Sequence, residues 1–474
     1  MKTPIPVAPP KRLALLGVAP FSAPALPLQA ISVAVFVYLP PYFAGHLGVS
    51  MTLIGLLWMA VRLIDIPVDP LLAVMMDRTR TPIGRYRVWL VAGAPVLMLA
   101  LYQLFMAPAH FGAGYLLGWL FVMYLGNSMM TLAHPAWGAT LATRYHERSR
   151  LFAILAAVGV LGTVAVLAIS ILHKALGLTD DGAVRAMGWT IIAALPVTAL
   201  LAAATTPERL APETAGRGPA FKDYWAVITK PDLMRLFLAQ MALTLGPGWM
   251  AAIYLFFFTA ARGFTTGQAS LLLALYIVAG LPGALFTALL SRAIGKHRTL
   301  MVTTTAFSLA LFAILVVPKG NLLATAPVML WCGSMASGFD LMIRAMLADV
   351  GDEVRLDQGK ERLSLLYAVN ALASKIAAAL AIGITFPLLQ ALGYNPAEGA
   401  VNTAAAIDHL QLAFLLGPIV FVMLGGACVI GWRLDAARHG DIRAELEARD
   451  AALEGTANID PAPFVASRVE QGVL

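Results

Sequence analysis

Apolar runs near 20 residues long recur along the whole of this 474-residue chain, and each is enough to cross roughly 30 Å of hydrocarbon as a helix. About twelve can be read, at approximately 20–45, 50–76, 88–107, 113–142, 150–173, 187–204, 233–260, 267–292, 299–317, 325–348, 363–391 and 408–433. Only 12% of the residues are charged, against about 25% in a soluble domain, so a water-soluble globule is excluded. The expected fold class is an all-α polytopic membrane protein.

The formal charge of +7 raises the question of a nucleic-acid partner, and the placement of the basic residues answers it. Arg78, Arg80, Arg85 and Arg87 follow the second run; Arg144, Arg148 and Arg150 follow the fourth; Arg292, Lys296 and Arg298 follow the eighth. These loops alternate with nearly uncharged ones such as "GHLGVS" and "APAHFGAG". The basicity is therefore a topology signal that predicts both termini in the cytoplasm, in the inner membrane if the cell is bacterial. The N-terminal "MKTPIPVAPPKR" lacks the short apolar core and cleavage site of a signal peptide, so its retention is expected. Cys332 and Cys428 lie in apolar runs as small hydrophobes and form no disulfide framework or zinc cluster.

The polar interval from about 206 to 232 divides six spans from six, with the Pro, Gly and mixed charge of a linker. A basic loop follows spans two and eight ("DRTRTPIGRYR", "SRAIGKHR") and a mixed-charge loop follows spans four and ten ("TRYHERSR", "DVGDEVRLDQGKER"). Two pseudo-symmetric six-helix bundles are predicted, over 1–205 and 233–435. A tail over 436–474 begins as a charged surface helix and is expected to end in disorder. Paired bundles of this kind are the architecture of secondary transporters, whose site lies near mid-membrane between the repeats.

Within the second run, "VRLIDIPVDP" places Arg62, Asp65 and Asp69 within roughly 60° of one another on a helix, so the three charges share one face. A charge at mid-bilayer costs about 2.5–3.5 kcal/mol, so that face looks into the protein. One reading is a structural Arg62–Asp65 pair, which leaves Asp69 without a partner. The other is a cation site, in which two carboxylates a turn apart offer oxygens to a small hard cation such as Na+.

"RLIDIPVDPLLAVMMDRTRTPIGRYRVWL", "RYHERSRL", "MLADVGDEV" and "YAVNALASKIAAALA" together resemble the glycoside–pentoside–hexuronide cation symporters, the melibiose-permease-like branch of the major facilitator superfamily. The resemblance covers most of the twelve spans and implies the major facilitator fold. It implies that Asp65 and Asp69 hold the coupling cation, and that Lys375, midway along the eleventh span, is coupled to them electrostatically. Counting back from Glu147–Arg148, the family's hydroxyl ligand falls on Ser128 and its helix IV aspartate on Thr131, beside Asn127. The site then has one carboxylate fewer than the family's, which leaves Na+ and H+ both open as coupling ion. The family's sugar-gripping helix I aspartate aligns with Gln29, which hydrogen-bonds without charge, so galactoside specificity is not supported.

Asp340 and Arg344, at i and i+4 in the tenth span, read equally as a self-neutralising pair or as a place where Asp340 meets substrate. His134, next to Pro135, reads as a packed residue or a proton relay. Gly246 and Pro247 in "GPGWMA" are expected to loosen the seventh span.

The expected cation ligands are thus Asp65, Asp69, Ser128 and Thr131, and the expected substrate contacts Gln29, Arg62, Asn127, Asp340 and Lys375. The function read from these is cation-coupled symport of a sugar or glycoside, or alternatively of a lysophospholipid or similar amphiphile. No nucleophile–base pair or H-E-x-x-H cluster points to an enzyme. No cofactor is called for besides the coupling ion. The expected partners are a small-molecule substrate and the lipid bilayer, with no nucleic acid, and the chain is expected to act as a monomer.

Overall fold

The computed structural model describes residues 15–108, 110–141, 145–208, 230–358 and 363–457. Most of the expected linker, parts of the α4–α5 and α10–α11 loop motifs, and the end of the tail lie outside these residues. Among the described residues, twelve helices are long and apolar enough to cross a membrane. They are α1 (Val18–Gly45), α2 (Met51–Arg78), α3 (Tyr86–Phe105), α4 (Ala113–Leu141), α5 (Arg150–Leu172), α6 (Asp180–Thr205), α7 (Pro231–Ala261), α8 (Thr266–Ile294), α9 (Lys296–Val316), α10 (Leu322–Asp357), α11 (Leu365–Ala391) and α12 (Ala404–Ala427). A further amphipathic helix, α13 (Ala436–Ala457), follows.

Three spans differ from their sequence-based extents. α6 starts at Asp180 rather than 187, because Thr179 caps it by accepting the Gly182 amide, and Asp180 and Asp181 sit favourably in its first turn. α10 runs well past 348, because its polar end is held by neighbours: Asp349 pairs with Lys296 of α9 at 2.6 Å, and Arg355 with Asp450 of α13 at 3.0 Å. α12 stops at Ala427 instead of 433, in a turn completed by Gly431 at φ +67°. α7 stays helical through Gly246 and Pro247; Gly246 packs closely on Pro418 and Val422 of α12, and a π-helical stretch lies later, at Phe257–Ala261.

The packing reveals the internal symmetry. In the first half α3 packs on α4 and α6, α2 on α4, and α1 on α5; in the second, α9 packs on α10 and α12, α8 on α10, and α7 on α11. Adding six to each number converts one set into the other. The same operation exchanges the two principal contacts between the halves, α2 with α11 and α5 with α8. This is the major facilitator arrangement.

Many of the ties between the halves lie at the end where α1 finishes and α2 begins, here called the sealed end. Gly55 of α2 lies against Pro387 and the Ile382 carbonyl of α11, and Gly383 of α11 lies against Met59, so missing side chains allow the helices to touch. Tyr38 Oη donates to Ser270 Oγ of α8 at 2.7 Å, and Ser270 Oγ is 2.7 Å from Ser170 Oγ of α5. Ser50 provides no side-chain cap for α2. Gln390 of α11 caps it instead, its Oε1 accepting from the Thr52 amide at 2.8 Å and from Ser50 Oγ at 2.9 Å.

Helix α13 buries Ile442 and Leu446, at i and i+4, against the end of α10. His439 adds a 3.1 Å contact to Asp352.

Candidate cation and substrate site

Helix α2 turns its apolar side chains outward and its acids inward. Leu63, Ile64 and Leu71 are exposed, whereas Asp65 is 2% exposed. Pro67 and Pro70 withdraw two amide donors from this stretch, leaving the carbonyls of Leu63 and Ile66 without their helical partners.

Three helices meet at the acids. Asp65 Oδ2 is 2.7 Å from Nζ of Lys375 on α11, and Asp65 Oδ1 accepts from Ser128 Oγ of α4 at 3.3 Å. The same ammonium lies 2.5 Å from Asp69 Oδ2. Asp69 Oδ1 is buried and has no hydrogen-bond partner among the described residues. The cluster thus holds two carboxylates and one ammonium, with one oxygen unsatisfied, an arrangement costly to bury and able to accept another small cation.

Arg62 does not join this cluster. Among the described residues no carboxylate lies within ion-pair distance of it, so the structural Arg62–Asp65 pair is not formed. Its guanidinium instead stands over the rings of Phe36 and Tyr124, at 4.8 and 4.4 Å from their centroids. Spacing along one helix made Arg62 the obvious partner; the contact between α2 and α11 brings in Lys375.

Two cavities of about 360 Å³ each lie in the two halves. The first, between α1, α4 and α5, is lined by Gln29, Ser32, Asn127, Thr131 and His134 among apolar neighbours. Thr131 Oγ1 donates to the Asn127 carbonyl at 2.8 Å. Of the four expected cation ligands, Asp65, Asp69 and Ser128 are therefore brought together, while Thr131 joins Gln29 and Asn127. Asn127 and Thr131 line the first cavity together, whereas Ser128 turns toward Asp65 of α2. His134 is buried, its Nε2 2.7 Å from the Phe21 carbonyl and its ring against Phe21, as in the packed reading.

The second cavity, between α7, α8 and α10, is lined by Gln240, Thr244, Tyr276, Ser337 and Asp340 among others. Asp340 lies at its wall and forms the self-neutralising pair with Arg344 at 2.6 Å.

Sequence reasoning missed Gln240. It is buried, and its Nε2 donates to Thr244 Oγ1 at 3.0 Å and to Ser374 Oγ at 2.9 Å, while Asn370 Nδ2 approaches its Oε1 at 3.4 Å. Asn370 and Ser374 stand at i and i+4 on α11, one position before Lys375 in the second case. That polar stripe through an apolar run was the available signal. Each cavity is thus joined to the ion cluster by a neighbouring residue, Asn127 beside Ser128 and Ser374 beside Lys375.

A family profile described as MFS/sugar transport protein matches residues 20–436. Among curated proteins, the chain is 22% identical over 434 residues to the uncharacterized symporter YnaJ of Bacillus subtilis (strain 168), covering 89% of this chain and 92% of that one. It is 23% identical over 433 residues to the isoprimeverose transporter of Lactiplantibacillus pentosus, covering 87% of each. Among solved structures, the nucleoside transporter NupG superposes with a TM-score of 0.67 at 12% identity, over 88% of this chain and 99% of that one. An inward-facing, unoccupied bacterial homologue of the human lysosomal transporter Spinster superposes with a TM-score of 0.61 at 14% identity, over 93% and 99%. The structural likenesses carry the fold. With a profile match running from the first helix to the last, the chain belongs to the MFS/sugar transport protein family: it is an integral membrane transporter of a small molecule, not an enzyme.

Proposed function

We propose that this protein is a symporter that carries a sugar or glycoside by alternating access, driven by Na+ or H+. The observation that carries this reading is the bridge from Lys375 to both Asp65 and Asp69, which joins α11 of one half to α2 of the other. A sodium ion or proton taken up by the acids competes with the ammonium for the same oxygens and so loosens a tie between the halves. A carrier holding only one ligand keeps a buried charge unbalanced and is held back, while the fully loaded carrier rocks. Linkage then requires cation and sugar to tighten each other's binding.

The amide and hydroxyl groups lining both cavities support a sugar over a lysophospholipid, because they match a hydroxylated cargo. The relative described as an isoprimeverose transporter points the same way. In this reading residues 1–205 and 233–435 are the moving units of a monomer. The basic loops lie opposite the sealed end, which therefore faces away from the cytoplasm.

Uptake of labelled isoprimeverose and a panel of related glycosides into proteoliposomes, with sodium or proton gradients imposed separately, tests the proposal. Accumulation above equilibrium should follow one of the two gradients. Uptake indifferent to both rejects coupling.

A further inference from the structure

His46 stands where α1 ends, stacked on Tyr42 with ring centroids 5.4 Å apart and planes 19° from parallel. Its two ring nitrogens meet two different carboxylates. Nδ1 is 3.2 Å from Oε1 of Glu398, in the connection between α11 and α12, and Nε2 is 3.7 Å from Oδ2 of Asp181 at the start of α6. Glu398 belongs to the second half and Asp181 to the first. The Glu398 amide also donates to the Gly45 carbonyl at 3.2 Å, so this connection already lies across the end of α1.

A neutral imidazole has one N–H, so it can donate to only one of these carboxylates and turns a lone pair toward the other. The protonated ring places a positive charge between the two, hydrogen-bonded to Glu398 at 3.2 Å and ion-paired with Asp181 at 3.7 Å. We propose that His46 is a proton-binding site whose occupancy ties the two halves together at the sealed end. The tie is stronger when the ring is charged and weaker when it is neutral, because the ion-pair part of the His46–Glu398 contact then goes. Proton access comes from a cavity of about 220 Å³ lined from both halves, by Tyr38, Tyr42, Asp181, Tyr394 and Glu398 around His46.

The surrounding charges fix which pair matters. Arg185 of α6 lies 3.8 Å from Asp181 and partly neutralises it. Asp180 is engaged by His173 of α5 at 3.1 Å, a contact confined to the first half. Glu398 has no such competing cation among the described ion pairs, and it is the partner that crosses between halves. His46, Asp181 and Glu398 are all partly exposed, so the tie is modest and graded, unlike the Lys375–Asp65 contact, whose carboxylate is 2% exposed. It requires no knowledge of the transported sugar or coupling ion.

The test places spin labels at Lys174→Cys and Val401→Cys, exposed positions in the two halves at the sealed end, with Cys332 and Cys428 replaced by alanine. Double electron–electron resonance in nanodiscs at pH 5 and pH 8, without substrate, reads the distance across that end. The ratio of short- to long-distance populations should be about two- to fivefold higher at pH 5, and both His46→Gln and Glu398→Gln should flatten this response. Three results would overturn the proposal: a wild-type distribution unmoved by pH, a response that survives in both variants, or a response abolished by His173→Gln but retained in His46→Gln.

Discussion

The ammonium of Lys375 lies 2.7 Å from a carboxylate oxygen of Asp65, and that contact crosses from one half of the protein to the other near the middle of α2 and α11. Removing it leaves a nearly inaccessible carboxylate facing a second acid. Lys375→Met should therefore cost about 3–5 kcal/mol, read as a fall in the thermal midpoint in detergent. Adding Asp69→Asn should recover a substantial part, and a double mutant no more stable than the single one would show that the acids are compensated in another way.

In the proposed mechanism Ser128 and Thr131 of α4 serve different ligands. Ser128 touches Asp65, whereas Thr131 faces the cavity with Gln29. Ser128→Ala should weaken the apparent affinity for the coupling ion by about fivefold, the value of one modest hydrogen bond, with little change in sugar affinity at saturating ion. Thr131→Ala should do the reverse. Uptake measured against ion and sugar concentration in turn distinguishes them.

Gly55 on α2 has no room for a larger side chain, since an added Cβ would stand 2.8 Å from Pro387 Cδ and 3.0 Å from the Ile382 carbonyl. Gly55→Val should destabilise the sealed conformation by about 1–3 kcal/mol. A cysteine introduced at Val401 alongside it should then show increased separation from a label at Lys174. Unchanged distance at that end would mean that α2 and α11 accommodate the bulk by local shifts.

Glu208 places its carboxylate across the start of α3, accepting from the amides of Arg85 at 2.9 Å, Tyr86 at 2.7 Å and Arg87 at 3.1 Å. It caps one helix from the chain that follows another. Glu208→Ala should cost about 1–2 kcal/mol and raise hydrogen exchange at residues 85–87, with exchange in α9 unaffected.

Much of this architecture was legible from residue order. The twelve spans follow from run length alone, and the inward placement of Asp65 follows from the cost of charge in lipid together with the helical period. Lys375 was reached through the family resemblance, and the structure places its ammonium against both acids. What escaped were relations between residues far apart in the chain: the aromatic seat of Arg62, the Gln390 cap on α2, the Gln240–Ser374 contact and the Glu208 carboxylate under α3. Periodicity locates a face on one helix but does not say which other helix meets it. The end of α10 was misplaced for a related reason, because apolarity marks where lipid stops and leaves invisible the ion pairs that keep a helix wound beyond it.

The seating of α13 on the far end of α10 gives the second half an external handle. In the proposed alternating access, a fluorophore or bulky adduct on the exposed Glu445 should ride with that half, so that a small motion at the core becomes a larger sweep at the periphery. Paired with a dye near Ile83 on the first half, it would report turnover in single molecules without a probe anywhere near the ions or the cargo.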